Sequence, residues 1–309
     1  MKTCIVTGGA GFIGSHIADQ LLKKGYRVAV IDNLSTGKRS NIDPRAAFFK
    51  LDIQSPQISG VFTKFKPQFV FHFAAQIDVR KSVADPVEDA KTNIIGSLNI
   101  LEQCRRQRVK KIVFASSGGT IYGDASVVPT KETYPGNPMS PYGIAKYTVE
   151  HYLWYYWNVF HLPFVSLRLA NIYGPRQNSK GEAGVVAIFT DAMLAKKQPV
   201  ISGTGKQTRD FVFVTDVVAA AMKAIASKRV GVYNVGTAKE TDINEIFSLL
   251  KRLTKSQAKK VYGEAKKGEQ VRSCLSYGKI RKEMGWKPSH ALEKGLQETV
   301  EWFTHEDHS

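Results

Sequence analysis

Three glycines near the amino terminus constrain the fold more than any other feature of this chain. Gly8, Gly11 and Gly14 recur at every third position between an apolar stretch, residues 2–7, and a run with apolar residues at Ile13, Ile17, Leu21 and Leu22. The first stretch reads as a strand and the second as a helix. A strand that turns through residues without side chains into a helix can press the helix amides against a pyrophosphate. The spacing departs by one residue from the commonest dinucleotide fingerprint, and the surrounding sequence supplies what is missing. A second strand over 26–31 ends at Asp32, about 20 residues beyond the glycines. A carboxylate there binds both ribose hydroxyls and repels a ribose phosphate, so the pattern favours NAD over NADP.

Strands continue at 46–51, 69–72, 111–115 and 164–168, with helices near 55–66 and 87–108 between them. Such alternation predicts an α/β fold with a doubly wound parallel sheet of Rossmann type. Asp52-Ile53 ends the third strand, Phe73-Ala74-Ala75 follows the fourth, and Ser116-Ser117-Gly118-Gly119-Thr120 follows the fifth. All three segments fall at carboxyl ends of strands, where open sheets bind ligands. Further on, helices read over 184–197, 215–226, 242–253 and 291–304, and strands over 208–214 and 230–235. No repeat or flexible linker appears. The expected division is a cofactor domain of 1–170 plus 205–236, interleaved with a smaller substrate lobe of 171–204 plus 237–309.

Residues 140–146, Ser-Pro-Tyr-Gly-Ile-Ala-Lys, carry the chemistry. Ser140 suits an N-cap and Pro141 the first helical position, which puts Tyr142 and Lys146 on one helical face. A free phenol titrates near 10, about three units too high for a base at neutral pH. An ammonium beside it and a positive nicotinamide ring would bring it into range.

Composition limits the rest. No apolar run reaches the ~20 residues that span a bilayer, and residues 1–7 lack the order of a signal peptide. Cys4, Cys104 and Cys274 are few, odd in number and not in metal-ligand spacing. The two histidines of the tail, His305 and His308, are thin support for a metal. The expectation is a cytoplasmic protein with no metal and no membrane attachment. A net charge of +17 would suit a polyanion, so an RNA-binding or regulatory protein on a dinucleotide fold is the rival from another class. The basic runs sit at helix ends and loops without interleaved aromatic residues, which argues against nucleic acid.

With Gly8 to Gly14, Asp32-Asn33, residues 72–75, Asn93, Tyr142/Lys146 and 168–175 in hand, the chain resembles the extended short-chain dehydrogenase/reductase superfamily. Within it, the nucleotide-sugar epimerases of the NAD-dependent epimerase/dehydratase family are the nearest likeness. The resemblance covers nearly the whole chain and implies 4-epimerisation of a UDP-hexose through a transient 4-keto sugar. A UDP-glucuronate 4-epimerase, or another member acting on nucleotide sugars, is the neighbouring alternative. By resemblance, Gly8, Gly11, Phe12, Ile13, Gly14, Asp32, Asn33, Asp52, Ile53, Phe73, Ala74, Ala75, Asn93, Ser116, Lys146 and Asn171 fall where the family holds NAD. Asn171, Val185, Val186, Arg209, Lys266, Glu269 and Ser273 fall where it holds the UDP-sugar. Tyr142 matches the residue that takes the 4-hydroxyl proton.

Three departures stand out. Gly118 occupies the place of the family's catalytic Ser or Thr, leaving Ser117 or Thr120 to supply that hydroxyl. Lys266-Lys267-Gly268-Glu269 replaces a phosphate-binding Arg-x-Gly-Asp/Glu, which keeps charge and loses the guanidinium fork. Val271 stands where a second arginine is common, with Arg272 beside it. Dehydratases and decarboxylases of the family need carboxylates where this chain has Gly119-Thr120, so elimination and decarboxylation lack their proton relay. The resemblance also implies a homodimer through helices 87–108 and 141–160. Ser273 aligns with a pocket position that is a bulky Tyr in epimerases restricted to plain hexoses, unless Tyr277 or Tyr262 fills the space here. Arg209 has a structural alternative, an ion pair with Asp210 or Asp216.

Overall fold

The structure is a computed structural model that describes residues 1–179, 184–265 and 270–306. β1 (Thr3–Thr7) feeds α1 (Phe12–Lys23), which returns the chain to β2 (Arg27–Asp32) alongside β1. β3 (Ala47–Lys50), α2 (Ile58–Phe65) and β4 (Phe69–His72) follow. Next come α3 (Val79–Ala84), α4 (Pro86–Ala90), α5 (Gly96–Arg106), β5 (Lys111–Ser117) and α6 (Gly118–Ile121). The long α7 (Pro141–Phe160) leads to β6 (Phe164–Leu169). A second lobe then opens with β7 (Asn171–Tyr173), α8 (Val185–Leu194), β8 (Val200–Ser202), β9 (Thr208–Arg209) and β10 (Phe211–Phe213). The chain goes back to the first lobe with α9 (Val214–Ala226) and β11 (Gly231–Val235). It ends through β12 (Thr241–Asp242), α10 (Ile243–Leu253), β13 (Val261–Gly263), β14 (Arg272–Ser273), α11 (Gly278–Met284) and α12 (Leu292–Glu306).

Seven strands form one parallel sheet in the order β11-β6-β5-β4-β1-β2-β3. The doubly wound fold is as predicted. Strand order reverses between β1 and β4, which opens the crevice where such sheets take ligands. One face of the sheet is covered by Ile17, Leu21, Val217, Ala221 and Trp286, the other by Ile58, Phe62, Leu101, Val149 and Leu153. Strands buried on both sides need continuous apolar sequence, which Cys4-Ile5-Val6 and Val28-Ala29-Val30-Ile31 provide. A third core, around Phe189, Phe213, Phe247 and Leu296, belongs to the second lobe.

The structure departs from the sequence pattern at four places. The expected strand 208–214 is split at Asp210, whose buried carboxylate accepts from Thr237 N and Oγ1 and from Leu275 N. β9 therefore joins β12 and β14, and β10 pairs with β7. The expected helix 87–108 begins as α4, passes through a π-helical turn at Lys91–Ile95 and only then becomes α5. β5 extends to Ser117, so Ser116 and Ser117 belong to the strand rather than to a loop. Tyr277, Ile280, Met284 and Trp286 return to the core of the main sheet beside Tyr233 and Val235.

Candidate active site

The glycine turn owes its residues to what surrounds it. β1 pairs with β4 so that Thr7 lies opposite His72, which carries Phe73 and Ala74 over Gly8. Gly8 has φ +70°, and a Cβ there would stand 2.6 Å from Ala74 N. A Cβ on Gly14 would stand 2.1 Å from Gly8 O, closer than any atom can be tolerated. Gly11 is the N-cap of α1 and offers no side chain to its first amides, which leaves them for an anion. Phe12 and Ile13, both half-buried, open the helix. This is a cradle shaped for a pyrophosphate.

Asp32 closes β2 beside that cradle, accepting from Ala10 N at 2.9 Å and Leu34 N at 2.8 Å. Asn33 donates Nδ2 to Asp52, whose other oxygen takes Gln54 N, so the ends of the second and third strands are laced together. Ile53 is buried under Gly96. Half-buried Phe73, Ala74 and Ala75 line the turn after β4. Asn93 sits on the π turn, where it donates to Gln76 O and accepts from Gln76 N. A single π turn in an otherwise α-helical run re-aims one side chain, and here that side chain is Asn93. The residues present fit a dinucleotide with free ribose hydroxyls.

Tyr142 and Lys146 project from the first two turns of α7. Ser140 caps this helix by accepting from Gly143 N at 3.2 Å, and Ser82 Oγ takes Tyr142 N, an amide with no partner inside the helix. Lys146 is buried, its Nζ donates to Ala115 O at 2.8 Å, and it lies 5.7 Å from the centre of the Tyr142 ring. Burial pulls the Lys146 ammonium down to about 8, opposed by the negative charges of Asp89 and Glu150. Burial pushes the Tyr142 phenol well above its usual range, Asp89 adds to the rise, and the Ser117 hydroxyl opposes it. The ammonium is thus committed to the Ala115 carbonyl. The phenol is therefore raised, where the sequence predicts a lowering by the neighbouring ammonium, and Ser117 rather than Lys146 is the group that opposes the rise.

Ser117, not Thr120, is the hydroxyl on Tyr142. Thr120 Oγ1 is buried without a hydrogen-bond partner, and a Cβ on Gly118 would run into Leu275 Cδ1 at 2.4 Å. Leucine fills the space that a Ser or Thr at 118 would need, which explains the shift by one residue. Ser116 points to the opposite side of β5, where its Oγ donates to Glu150 Oε1 at 2.7 Å, so its side chain is turned away from the cofactor crevice. Glu150 also takes a bidentate pair from Arg168 and a bond from Ser166, which pins the back of α7 to the sheet.

On the second lobe, parallel pairing of β14 with β9 places Ser273 beside Arg209. A Cβ on Gly119 would be 3.8 Å from Ser273 Oγ, so α6 and the end of β14 approach each other there. Arg209 Nη1 donates to Thr208 O. Asp210 and Asp216, the alternative partners, are held by Thr237 and Leu275 and by Ser289 and His290 respectively. Asn171 pairs its backbone with β10 at the lobe boundary. Val186 is fully buried in the third core and half-buried Val185 packs against it, both in the first turn of α8 behind Gly184. Arg272 grips Glu240 through two bonds. Lys266 and Glu269 lie outside the described residues.

Among the described residues there is no His/Cys/Asp/Glu cluster able to hold a metal. Sequence patterns did not mark Gln76, Ser82 or Asp89. Asp89 hides in the acidic first turn of α4, where a carboxylate ordinarily serves the helix dipole.

Comparison with known proteins follows the same lines. The model of the NAD dependent epimerase/dehydratase family matches residues 4–236. The UDP-glucose 4-epimerase of Mycolicibacterium smegmatis is 41% identical over 309 residues, covering 98% of each chain. A solved UDP-glucose 4-epimerase from Thermotoga maritima, with UDP-glucose, superposes with a TM-score of 0.97 at 46% identity over 98% of this chain and 99% of that one. The Thermus thermophilus UDP-glucose 4-epimerase in complex with NAD gives 0.93 at 41% identity over 97% and 98%.

Proposed function

The chain belongs to the NAD dependent epimerase/dehydratase family, and from that membership we propose that it is an NAD-dependent 4-epimerase that interconverts UDP-glucose and UDP-galactose. The observation that carries this reading is Tyr142 with Ser117 and Lys146 at the crevice, facing a loop whose Gly119-Thr120 holds no carboxylate. A 4-hydroxyl can lose its proton there, while elimination has no acid/base pair to drive it. When bound, oxidised NAD supplies the hydride acceptor and the positive charge that offsets burial at the phenol. Gly8, Gly11, Gly14 and Asp32 would hold its diphosphate and ribose, and Asn93 and Lys146 its nicotinamide end. Tyr142 takes the 4-hydroxyl proton and returns it to the same oxygen once the 4-keto sugar has turned over and its carbonyl carbon has received hydride on the other face. Ser117 donates to the sugar oxygen and keeps it aligned with the phenol, and Arg209 grips the diphosphate. Purified protein given UDP-glucose with no added NAD should yield UDP-galactose without net redox change. Absence of product from protein that carries NAD would overturn the assignment.

The same chain presents a surface that suits a second copy. Val87 (63% exposed), Ile95 (56%), Ile144, Tyr152, Tyr155 (49%) and Val159 form an apolar face across α4, the π turn and α7. On α7 these residues recur at helical spacing, and that stripe faces away from the sheet. Tyr156, Leu101 and Leu98 turn inward to the chain's own core, so the dimer face is narrower than the aromatic content of α7 suggests. Pairing of these helices with their copies would make a four-helix bundle. Light scattering at micromolar concentration should report a dimer, and Tyr155→Glu with Val159→Lys should give monomer. A wild-type monomer would exclude it.

Among the described residues no helix is long and apolar enough to cross a membrane. Cys4, Cys104 and Cys274 are buried and unpaired, which supports the reducing cytoplasm as the location.

A further inference from the structure

Among the described residues, Asp89 is the one buried carboxylate near the Tyr142/Lys146 pair that neither the glycine cradle nor the ion pair with Arg168 explains. It is almost wholly inaccessible. Its Oδ1 accepts from Asn93 Nδ2 at 2.8 Å and from Gln76 Nε2 at 3.0 Å. Its Oδ2 is buried with no hydrogen-bond partner. A half-satisfied buried carboxylate is costly, so an uncompensated one would not be expected without a positive charge to oppose it. The helix that carries it packs on α7; burial raises its carboxyl, and the hydrogen bonds from Gln76 and Asn93 and the charge of Lys146 oppose that rise.

We propose that Asp89 is the counter-charge of the Tyr142/Lys146 pair, a positioning residue that keeps the Lys146 ammonium charged in its buried seat and withholds the Tyr142 proton until cofactor and sugar are in place. The inference rests on the epimerase reading of the same site. The surrounding charges leave this work to Asp89. From α7 the titratable groups are Tyr142, Lys146 and Glu150, and Glu150, whose charge also favours the ammonium less than that of Asp89, is paired with Arg168 at 2.6 Å. From β4, His72 bridges Thr7 and Ser97 and is held neutral by burial and by Lys146. On α3, Arg80 and Lys81 are exposed, and Asp78 caps its own helix. Glu88 and Lys91 form a solvent-facing pair.

The sign of the effect follows from the charge. A negative neighbour raises both a phenol and an ammonium pKa. Removing it lowers both, so both limbs of the pH–rate profile should move to lower pH.

Asp89→Asn tests this directly, because the amide oxygen can still accept from Asn93 and Gln76 while the charge is gone. With UDP-glucose as substrate, both limbs of the kcat profile should shift to lower pH by roughly one unit. Asp89→Glu should restore the wild-type profile. Independently of turnover, the tyrosinate absorbance of Tyr142, taken as the difference from Tyr142→Phe in the protein as purified, should titrate at lower pH in Asp89→Asn. Asp89→Ala, which removes the charge with a different hydrogen-bonding loss, should shift it in the same direction. That spectroscopic shift reads the proposal even if the enzyme acts on a different sugar. A folded Asp89→Asn with an unmoved profile and an unmoved tyrosinate titration would reduce Asp89 to a tie between Asn93 and Gln76 and overturn the proposal.

Discussion

Tyr142→Phe is expected to lower kcat with UDP-glucose by about a thousandfold or more, with NAD content and thermal stability close to wild type. The substitution deletes one oxygen from a ring whose placement does not depend on it. Tyr142 is set by Ser140 at the N-cap, by Pro141 in the first turn and by Ser82 on its amide, none of which involves the phenol. Lys146 keeps its bond to Ala115 O, so the cofactor end of the site stays as it is. What is lost is the phenol that we propose takes the 4-hydroxyl proton. Ser117→Ala should cost less, roughly a hundredfold or below, since its hydroxyl aligns and assists but does not hold the proton between half-reactions. Near wild-type turnover in Tyr142→Phe would remove Tyr142 from the mechanism. A large loss in Thr120→Val with little change in Ser117→Ala would mean that the hydroxyl comes from the other side of the loop.

The glycine cradle, Asp32 and the Tyr142/Lys146 face are legible in the sequence because each rests on a local rule. A turn that cannot carry Cβ, a carboxylate at a strand end and a four-residue helical spacing need no tertiary knowledge. What the sequence hides depends on contacts between distant segments. Ser116 and Ser117 look equivalent until β5 is seen to continue through both, since alternation on a strand sends one to Glu150 and the other to Tyr142. Gly118 reads as a missing catalytic hydroxyl until Leu275, far along the chain, is found in its place. The split of 208–214 at Asp210 is invisible because Thr208 and the run Phe211-Val212-Phe213-Val214 keep a strand-like pattern on either side of the acid. Only the partners of Asp210 at Thr237 and Leu275 show that the strand ends there. Asp89 is hidden for the converse reason: a local rule, acid in the first turn of a helix, explains it too easily.

Electrostatics separates the site into two halves with opposite demands. The Arg168–Glu150 pair is buried and fully hydrogen-bonded, with Ser116 and Ser166 completing the carboxylate, so it fixes the back of α7 without leaving a free charge. Breaking one partner of such a pair typically costs about 3–5 kcal/mol, which makes it a structural anchor rather than a tuning element. One turn earlier on the same helix, Lys146 has burial against it, with the Ala115 carbonyl, the Phe114 and Tyr142 rings and the charges of Asp89 and Glu150 in its favour. Rigidity at the back and an adjustable proton at the front belong to a helix that must hold Tyr142 still while its protonation changes twice per turnover.

Ser273→Tyr is expected to abolish epimerisation of UDP-N-acetylglucosamine, by about a hundredfold or more, while sparing UDP-glucose. Ser273 sits buried at the end of β14 beside Arg209, and the residue facing its Oγ is Gly119, which has no side chain. Neither of the two tyrosines nearby in sequence closes it. Tyr277 packs edge-on against Trp286 in the core of the main sheet, with ring centres 6.2 Å apart. Tyr262 is half exposed on the β8–β13 ribbon and hydrogen bonds Asn244 at 2.9 Å. If residue 273 lines the sugar at carbon 2, its hydroxyl is able to bond an acetamido group, and wild-type protein should turn over both UDP-sugars. A tyrosine ring at 273 would lie over Gly119 and clash with the acetamido group but not with a hydroxyl. Comparison of kcat/KM for the two substrates in wild type and Ser273→Tyr decides it. Wild-type protein that converts UDP-glucose and leaves millimolar UDP-N-acetylglucosamine untouched would show that the pocket is closed by something other than residue 273, and equal loss of both activities in the variant would place Ser273 outside the sugar wall.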